Sequence, residues 1–266
     1  MSPLSSSARR RAIRLSLSWS LRAICPPCCC GWKNGRAMSD TTTSILAAAL
    51  WDFDGTLADT EELWIAAEYD LIGRLGGTWS DEDAEQLVGN SLLDSGSYIL
   101  NAIGRADLSP AWVVDQLLTA VVDHVRSNPI IWRPGAIELL KSFEEAGVPC
   151  ALVSASYRVL LDAALSQLPE GTFQVTVAGD EVSRGKPHPE PYEKACTALG
   201  VAARHCVVLE DSETGCRAGN AAGALVVAIP NPRVEIPKAP RRLHVRSLAE
   251  LDATTVARML EQFDGD

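Results

Sequence analysis

The stretch Ile45-Leu46-Ala47-Ala48-Ala49-Leu50-Trp51-Asp52-Phe53-Asp54-Gly55-Thr56 decides the fold. Its short apolar run predicts a buried parallel strand, and Gly55 permits a sharp turn directly after it. Asp52 and Asp54 are two residues apart, so in an extended segment both carboxylates point the same way at the carboxyl end of the strand. Open α/β sheets bind ligands at that edge. Two adjacent carboxylates also need a counter-charge, and Mg²⁺ prefers oxygen ligands of this kind. A strand-ending turn without chemistry is the alternative.

The composition is that of an ordinary soluble globular protein. The chain has 266 residues, of which 47% are hydrophobic and 22% charged, enough for one large domain or two modest ones. The net charge of -10 argues against nucleic acid as a partner, and no apolar run is long enough to span a membrane. Four cysteines scattered through apolar segments indicate a reducing compartment, so we expect a cytoplasmic protein. They are Cys150, Cys196, Cys206 and Cys216.

The amino-terminal segment differs from the rest of the chain. Residues 1–37 carry seven basic residues and no acidic one, together with the cluster Cys25-Pro26-Pro27-Cys28-Cys29-Cys30. A metal or disulfide-exchange role lacks a second cluster of matching spacing, and Arg22 interrupts the apolar stretch that a secretory signal needs. Met38 begins a polar lead into the first strand. We therefore predict that residues 1–44 are a disordered or non-native extension.

The remaining chain predicts a core sheet with a helical insertion. Residues 61–131 show helical periodicity and no convincing strand, whereas strand and helix alternate again from about residue 132. Alternation of this kind predicts a doubly wound parallel, Rossmann-like α/β sheet, with 45–60 and 132–266 as the core and 61–131 as an inserted helical cap. The predicted cap helices cover 61–75, 81–88, 91–103 and 110–126.

Polar residues follow three further predicted elements of the core. Ser154 comes after the strand 150–153, Lys186 lies in Arg184-Gly185-Lys186-Pro187, and Glu210 with Asp211 follows the strand 206–209. Taken separately, each has an alternative interpretation without a function: Ser154 as a helix cap, Lys186 as a surface lysine, and Glu210 with Asp211 as a solvated acidic turn. The amides after Ser154, beginning with Ala155, lie near a helix start and favour an anion.

Together with Asp52 and Asp54, these residues resemble the motifs of a known family. The order Asp-x-Asp-Gly-Thr, strand-terminal Ser, Gly-Lys-Pro and Glu-Asp, between residues 45 and 229, resembles the haloacid dehalogenase superfamily. The similarity is to its phosphatase and β-phosphoglucomutase-like branch, which has a helical, C1-type cap. Residues 1–44 lie outside the resemblance.

The resemblance implies a role for each motif residue. Asp52 would attack phosphorus and form an aspartyl phosphate, while Asp54 would act as general acid and then general base. Mg²⁺ would be held by Asp52, the main chain of Asp54, and Asp211, with Glu210 as an accessory acid. The phosphoryl oxygens would be bound at Ser154, Ala155 and Lys186.

Two departures from the mutase pattern favour hydrolysis. The mutases use a cap arginine for a second phosphate, where this chain has Leu92, and a cap histidine, where it has Trp64. The resemblance therefore implies a Mg²⁺-dependent phosphatase for a small phosphorylated metabolite, such as a sugar phosphate or a phosphoglycolate-like compound. The sequence does not determine the oligomeric state, and we expect a monomer. A sugar phosphomutase is the alternative. A non-enzymatic protein that binds polyanions through the basic amino-terminal arm is a third, weaker hypothesis.

Overall fold

A six-stranded parallel sheet forms the centre of the described molecule. The computed structural model describes residues 46–231 and 233–264, so the predictions for residues 1–44 lie outside the described residues. The strand order is β3-β2-β1-β4-β5-β6. The strands are β1 (Ala48–Trp51), β2 (Cys150–Val153), β3 (Val175–Val177), β4 (Cys206–Glu210), β5 (Leu225–Ala228) and β6 (Arg242–His244).

Helices cover both faces of this sheet, which confirms the predicted doubly wound fold. They are α5 (Ala136–Glu145), α6 (Arg158–Leu165), α7 (Glu190–Leu199), α8 (Glu213–Ala221) and α9 (Ala253–Asp264). Trp51 packs edge-on against Phe143 of α5 at 6.1 Å between ring centroids, whereas its neighbour Leu50 belongs to the opposite apolar cluster with Tyr192 of α7. Because side chains alternate along a strand, buried continuous runs such as β1 need cover on both sides.

The register of the central strands brings the predicted motifs to one edge. Trp51 pairs with Leu152 of β2 on one side and with Leu209 of β4 on the other, all in parallel. The residues that follow these three strands therefore emerge side by side. This edge is the carboxyl edge of the sheet, where a doubly wound fold binds its ligands.

The cap predicted after the first strand is present as a helical layer. It consists of α1 (Glu61–Arg74), α2 (Asp81–Glu85), α3 (Leu92–Ala102) and α4 (Pro110–Ser127). Helix α4 begins at Pro110 with Ser109 as its N-cap and buries seven apolar side chains, through which it packs on α1, α3 and α6. None of the described helices is both long and apolar enough to cross a membrane.

The strand β6 was not predicted from the sequence. Its residues Arg242, Leu243 and His244 lack the apolar character of the other strands, yet the strand pairs with β5. The Arg242 side chain is buried and donates hydrogen bonds to Asn220 and Glu213 of α8 at 3.0 and 2.8 Å. Burial of a paired arginine at a sheet edge requires tertiary partners that the local sequence does not reveal.

Candidate active site

One cavity opens between the carboxyl edge of the sheet and the cap helices. Its floor includes Asp52, Asp54, Ala155, Lys186 and Asp211, so the motifs that follow separate strands converge there. Its upper wall comes from α1, α3 and the segment between α2 and α3. The remaining lining residues are Gly55, Glu61, Trp64, Ile65, Glu68, Ala84, Leu87, Val88, Gly89, Asn90, Leu92, Ser95, Leu117, Ser156, Ser212 and Asn231.

Asp52 lies at the bottom of this cavity with one oxygen engaged. Lys186 Nζ donates to Asp52 Oδ1 at 2.6 Å, and no other described residue donates to the Asp52 side chain. Burial, and then the charge of Glu210, raise the pKa of Asp52 well above its ordinary value, although Lys186 opposes the shift. Asp52 Oδ2 therefore accepts no hydrogen bond from the described residues, and it can contact an electrophile or a cation in the cavity.

Lys186 is held by three acceptors, which is all that an ammonium group can satisfy. Its Nζ donates to Asp52 Oδ1 at 2.6 Å, to Val153 O at 3.0 Å and to Glu210 Oε1 at 2.6 Å. Burial lowers the pKa of Lys186, but the charges of Asp52 and Glu210 outweigh it and raise the pKa above its ordinary value. The ammonium is thus a fixed positive charge beneath the cavity.

Glu210 lies below the cavity and does not line it. Its Oε1 accepts hydrogen bonds from Lys186 and from Tyr192 at 2.8 Å, and its Oε2 accepts from Ser212 Oγ at 2.9 Å and from the amides of Asp211 and Ser212. Gly215 permits this arrangement, because a Cβ there would occupy the position of the Glu210 carboxylate. A carboxylate that already accepts five hydrogen bonds is well placed to position Lys186.

Asp211 points into the cavity and faces the turn after β1. It accepts hydrogen bonds from Thr56 at 3.2 Å and from Asn231 at 2.7 Å. Burial, and then the charge of Glu210, raise the pKa of Asp211 to about 7. Gly55 has φ +81° and its Cα lies so close that a Cβ would collide with the Asp211 carboxylate, so only glycine fits this turn.

The carboxylates of Asp52, Glu210 and Asp211 form a group suited to a hard cation. One oxygen of each lies within 4.8 Å of the others, and all three residues are buried. Lys186 supplies one positive charge against three negative ones, so a divalent ion would offset the excess. The all-oxygen donor set fits Mg²⁺, with Asp52 and Asp211 facing the cavity and Glu210 supporting them from below.

Asp54 is held by four hydroxyl or indole donors. Thr60 Oγ1 and Trp64 Nε1 donate to its Oδ1 at 2.6 and 2.9 Å, while Ser156 Oγ and Ser154 Oγ donate to its Oδ2 at 2.7 and 3.3 Å. Two of these donors belong to the start of α1 and two follow β2. The carboxyl group is therefore fixed between the cap and the core.

Ser154 and Ala155 occupy different positions relative to the cavity. The Ser154 side chain is buried, donates to Asp54 and accepts a hydrogen bond from the Ser156 amide at 2.9 Å, so it does not line the cavity in this arrangement. Ala155 does line it. Their proposed contact with phosphoryl oxygens stays a prediction.

Sequence reasoning missed several residues that contact the predicted ones. The sequence marks Trp64 only as a departure from the cap histidine of the mutases, but its indole nitrogen donates a hydrogen bond to Asp54. Thr60, Ser156 and Tyr192 were not assigned as site residues either. The spacing of Thr60 and Trp64 is a usable signal, since residues four apart lie on the same helix face at the start of α1.

Comparisons with known proteins place this geometry in a family. The model of the haloacid dehalogenase-like hydrolases matches residues 49–229. A bifunctional riboflavin kinase/FMN phosphatase of Arabidopsis thaliana is 30% identical over 224 residues, which are 80% of this chain but 54% of that relative, so the chain spans about half its length. Hexitol phosphatase B of Escherichia coli O157:H7 is 30% identical over 227 residues, 80% of this chain and 97% of the relative.

A solved structure agrees with these relatives. CbbY from Rhodobacter sphaeroides in complex with phosphate is 28% identical, with a TM-score of 0.68, over 77% of this chain and 96% of that one. The matched residues of the family model include every predicted site residue from Asp52 to Asp211. This chain belongs to the haloacid dehalogenase-like hydrolases.

Proposed function

We propose that the protein is a Mg²⁺-dependent phosphatase that hydrolyses a small phosphate monoester through an aspartyl-phosphate intermediate. The observation that carries the proposal is the convergence of Asp52, Asp54, Lys186 and Asp211 on one cavity, with Lys186 Nζ 2.6 Å from Asp52 Oδ1. Bound Mg²⁺ would supply positive charge to the phosphoryl oxygens and to the acidic group, held by Asp52, the Asp54 main chain and Asp211.

The proposed reaction has two steps and uses two carboxyl groups. An oxygen of Asp52 forms a bond to phosphorus, the bond from phosphorus to the substrate oxygen breaks, and Asp54 donates a proton to the leaving alcohol. Water then attacks the aspartyl phosphate, Asp54 takes a proton from that water, and inorganic phosphate leaves with the Asp52 carboxylate restored. Lys186 offsets negative charge on the phosphoryl oxygens, and Ser154 and Ala155 complete their binding.

Glu210 has a supporting part in this proposal. Because both of its oxygens are already hydrogen-bonded and it does not line the cavity, we assign it to positioning Lys186 and Asp211 and not to direct metal contact.

The second candidate function, a sugar phosphomutase, is less well supported by the cap. Leu92 and Trp64 both line the cavity, and neither can hold a second phosphate through a positive charge. Net release of phosphate distinguishes the two activities, because a mutase returns the phosphoryl group to the sugar.

The test is phosphate release from a panel of phosphorylated metabolites. We expect release to require Mg²⁺ and to fall at least 1,000-fold, about 4 kcal/mol in barrier, in Asp52→Asn, because the amide is not a nucleophile. Asp70→Asn, on the exposed surface of α1, is the control and retains full activity. Release that is independent of Mg²⁺ and survives Asp52→Asn contradicts the proposal, and interconversion of sugar phosphates without release supports the mutase.

We also propose that the enzyme acts as a monomer in the cytoplasm. The cysteines of the described chain are buried and unpaired, which suits a reducing compartment.

A further inference from the structure

The cap wall of the cavity carries two buried polar side chains, each with one oxygen that has no hydrogen-bond partner among the described residues. Glu68 of α1 is 5% exposed and Ser95 of α3 is 6% exposed, and both line the cavity. Trp79 Nε1 donates to Glu68 Oε2 at 3.1 Å, but within residues 46–231 and 233–264 nothing donates to Glu68 Oε1 or bonds to Ser95 Oγ. Both oxygens are accessible from the cavity, so a ligand bound there can form hydrogen bonds with them that the protein itself does not make.

A network behind the cavity fixes the position of Glu68. Trp79, its hydrogen-bond donor, packs edge-on against Tyr98 of α3 at 6.1 Å between ring centroids. The Tyr98 hydroxyl donates to Asp83 Oδ1 at 3.2 Å, and Asp83 forms a capping box with Ser80 at the start of α2. The carboxyl group is thus held by three cap elements, as a preorganised binding group requires.

The charges around the cavity disfavour a second anionic group on the substrate. Lys186 is the only basic residue among the described residues that line the cavity, and its three donors are already engaged. The acids Glu61 and Glu68 line the cap side, and Arg233, which pairs with Glu61 and Glu62, does not line the cavity. A second phosphate or a carboxylate would therefore meet two acidic side chains and, among the described residues, no cation on the cap side, and the repulsion would be strongest above about pH 7, where Glu68 is ionised.

The remaining cap wall is apolar. Its side chains suit a carbon skeleton and exclude water, and they are Ile65, Leu87, Val88, Leu92 and Leu117. In such a setting a hydroxyl is the best match for the two unpaired groups, because it can donate to Glu68 and can either donate to or accept from Ser95. A site of this kind discriminates strongly against analogues that lack the hydroxyl.

We propose that the substrate is the phosphate monoester of an uncharged polyol, with one hydroxyl donating to Glu68 Oε1 and a second bonded to Ser95 Oγ. This inference rests on the proposed phosphatase function and narrows it. Phosphoglycolate-like compounds and bisphosphates are disfavoured, since each brings a second anionic group to the cap wall.

The test compares kcat/KM of the full chain with Mg²⁺ for probes that differ in one group. D-glucitol 6-phosphate is the polyol, 6-phosphogluconate adds a carboxylate, and glucosamine 6-phosphate against glucose 6-phosphate tests an amine. We expect kcat/KM for glucitol 6-phosphate to exceed that for 6-phosphogluconate at least tenfold.

The variants test the two side chains. The ratio of kcat/KM for glucitol 6-phosphate to kcat/KM for p-nitrophenyl phosphate should fall at least tenfold in Glu68→Ala and about fivefold in Ser95→Ala. In Glu68→Gln, the preference for glucitol 6-phosphate over 6-phosphogluconate should become smaller. Asp70→Asn, on the exposed face of α1, keeps both ratios within twofold.

A preference for 6-phosphogluconate over glucitol 6-phosphate overturns the inference, and so do unchanged ratios in both Glu68→Ala and Ser95→Ala. Preference for glucosamine 6-phosphate that disappears in Glu68→Gln overturns it in favour of a cationic amine. Failure of the phosphatase function is separable, because calorimetry on Asp52→Asn with Mg²⁺ measures glucitol 6-phosphate binding without turnover. If no ester is hydrolysed but that binding weakens at least tenfold on adding Glu68→Ala, the function fails and the polyol site stands.

Discussion

At the scale of single residues, the site depends on buried charges that hold one another. Lys186 bridges Asp52 and Glu210 with two contacts of 2.6 Å, and its ammonium also lies 5.2 Å from the ring centroid of Tyr192. Removal of one partner from such a group leaves an uncompensated buried charge, which is strongly destabilising. The arrangement is therefore rigid, as the proposed attack of Asp52 on phosphorus in one orientation requires.

Trp64 is predicted to position Asp54. Its indole N–H donates to Asp54 Oδ1 at 2.9 Å and has no proton to lose in the accessible pH range. A hydrogen bond to a charged group contributes about 1.5–3 kcal/mol, so Trp64→Phe should lower kcat about tenfold or more. The measurement is steady-state hydrolysis, in which we expect kcat to change more than KM.

Trp112→Phe is the matched control for this substitution, because Trp112 is partly buried on α4 and does not line the cavity. Restoration of kcat by Trp64→His, which again supplies an N–H donor, separates positioning from packing. A Trp64→Phe enzyme with unchanged kcat contradicts the assignment.

Glu68 is predicted to make stability depend on pH. Burial raises the pKa of Glu68 to about 7 from 4.5, against the opposing effect of the Trp79 hydrogen bond. The folded protein therefore holds a proton that the unfolded chain releases, so this contribution to stability is complete below about pH 4.5 and is lost as pH rises to about 7. At 1.36 kcal/mol per pH unit, the loss is about 3 kcal/mol.

Urea unfolding of wild type and Glu68→Gln between pH 4.5 and 8 tests this dependence. We expect the free energy of unfolding of Glu68→Gln to gain on wild type as pH rises, since an amide does not ionise. A difference between the two proteins that is constant with pH would show that the carboxyl group ionises normally.

At the scale of elements, the turn between β1 and α1 joins the sheet to the acidic group. The turn is close-packed, because Gly55 donates its amide to Ala58 O at 2.8 Å and Thr56 donates to Asp211. The same turn leads into α1, whose first residues hold Asp54. One short segment thus sets the relative positions of both aspartates and of Asp211.

Gly55→Ala is predicted to cost more than a comparable substitution elsewhere. Gly55 and Gly147 have similar positive φ, +81° and +69°, but a Cβ meets Asp211 at Gly55 and open space at Gly147. Gly147→Ala should cost about 1 kcal/mol from backbone strain alone, whereas Gly55→Ala should cost more and should weaken Mg²⁺ binding. Chemical unfolding and Mg²⁺ titration of the two variants measure the difference. Equal losses of stability and of Mg²⁺ affinity in both variants would show that the contact with Asp211 is not the cause.

At the scale of the whole molecule, cap and core meet at the active-site cavity. Thr60 and Trp64 from the cap side and Ser154 and Ser156 from the core side all bond to Asp54. In the proposed reaction, the cap would supply the wall that contacts the leaving group, and the sheet edge would supply the charges that act on phosphorus. The proposal therefore assigns chemistry and selectivity to different layers of the fold.

Mg²⁺ is predicted to stabilise the whole protein through the acidic group. A ligand that binds only the folded state at 100 times its dissociation constant adds about 2.7 kcal/mol to the free energy of unfolding. Because burial raises the pKa of Asp211 to about 7, its proton competes with the ion, so this gain should grow as pH rises through about 7.

Thermal unfolding with and without Mg²⁺, at several pH values, measures the effect. Asp211→Asn should lose most of it, while Asp70→Asn on the exposed surface retains it. An equal Mg²⁺ effect in both variants would argue against Asp211 as a ligand.

The sequence alone determined the fold class and the set of motif residues. Continuous apolar runs such as 48–51 and 150–153 predict buried parallel strands, and the residues after them fall at the carboxyl edge by the geometry of any doubly wound sheet. These patterns are local, so they can be recognised in the sequence without knowledge of tertiary contacts. The strand β6 was missed because its pairing depends on Arg242 finding partners on α8.

Only the tertiary structure decided which side chains contact the motif residues. The helical periodicity of α1 does not reveal that Trp64 reaches Asp54 or that Glu68 faces the cavity with one oxygen unpaired. These two facts depend on how the cap packs over the sheet. Other contacts of the motif residues join positions up to 155 apart in the chain, as for Thr56 and Asp211. Spacing along the chain fixes which residues emerge at a sheet edge, but hydrogen-bond partners are fixed by packing in three dimensions, which the local pattern does not encode.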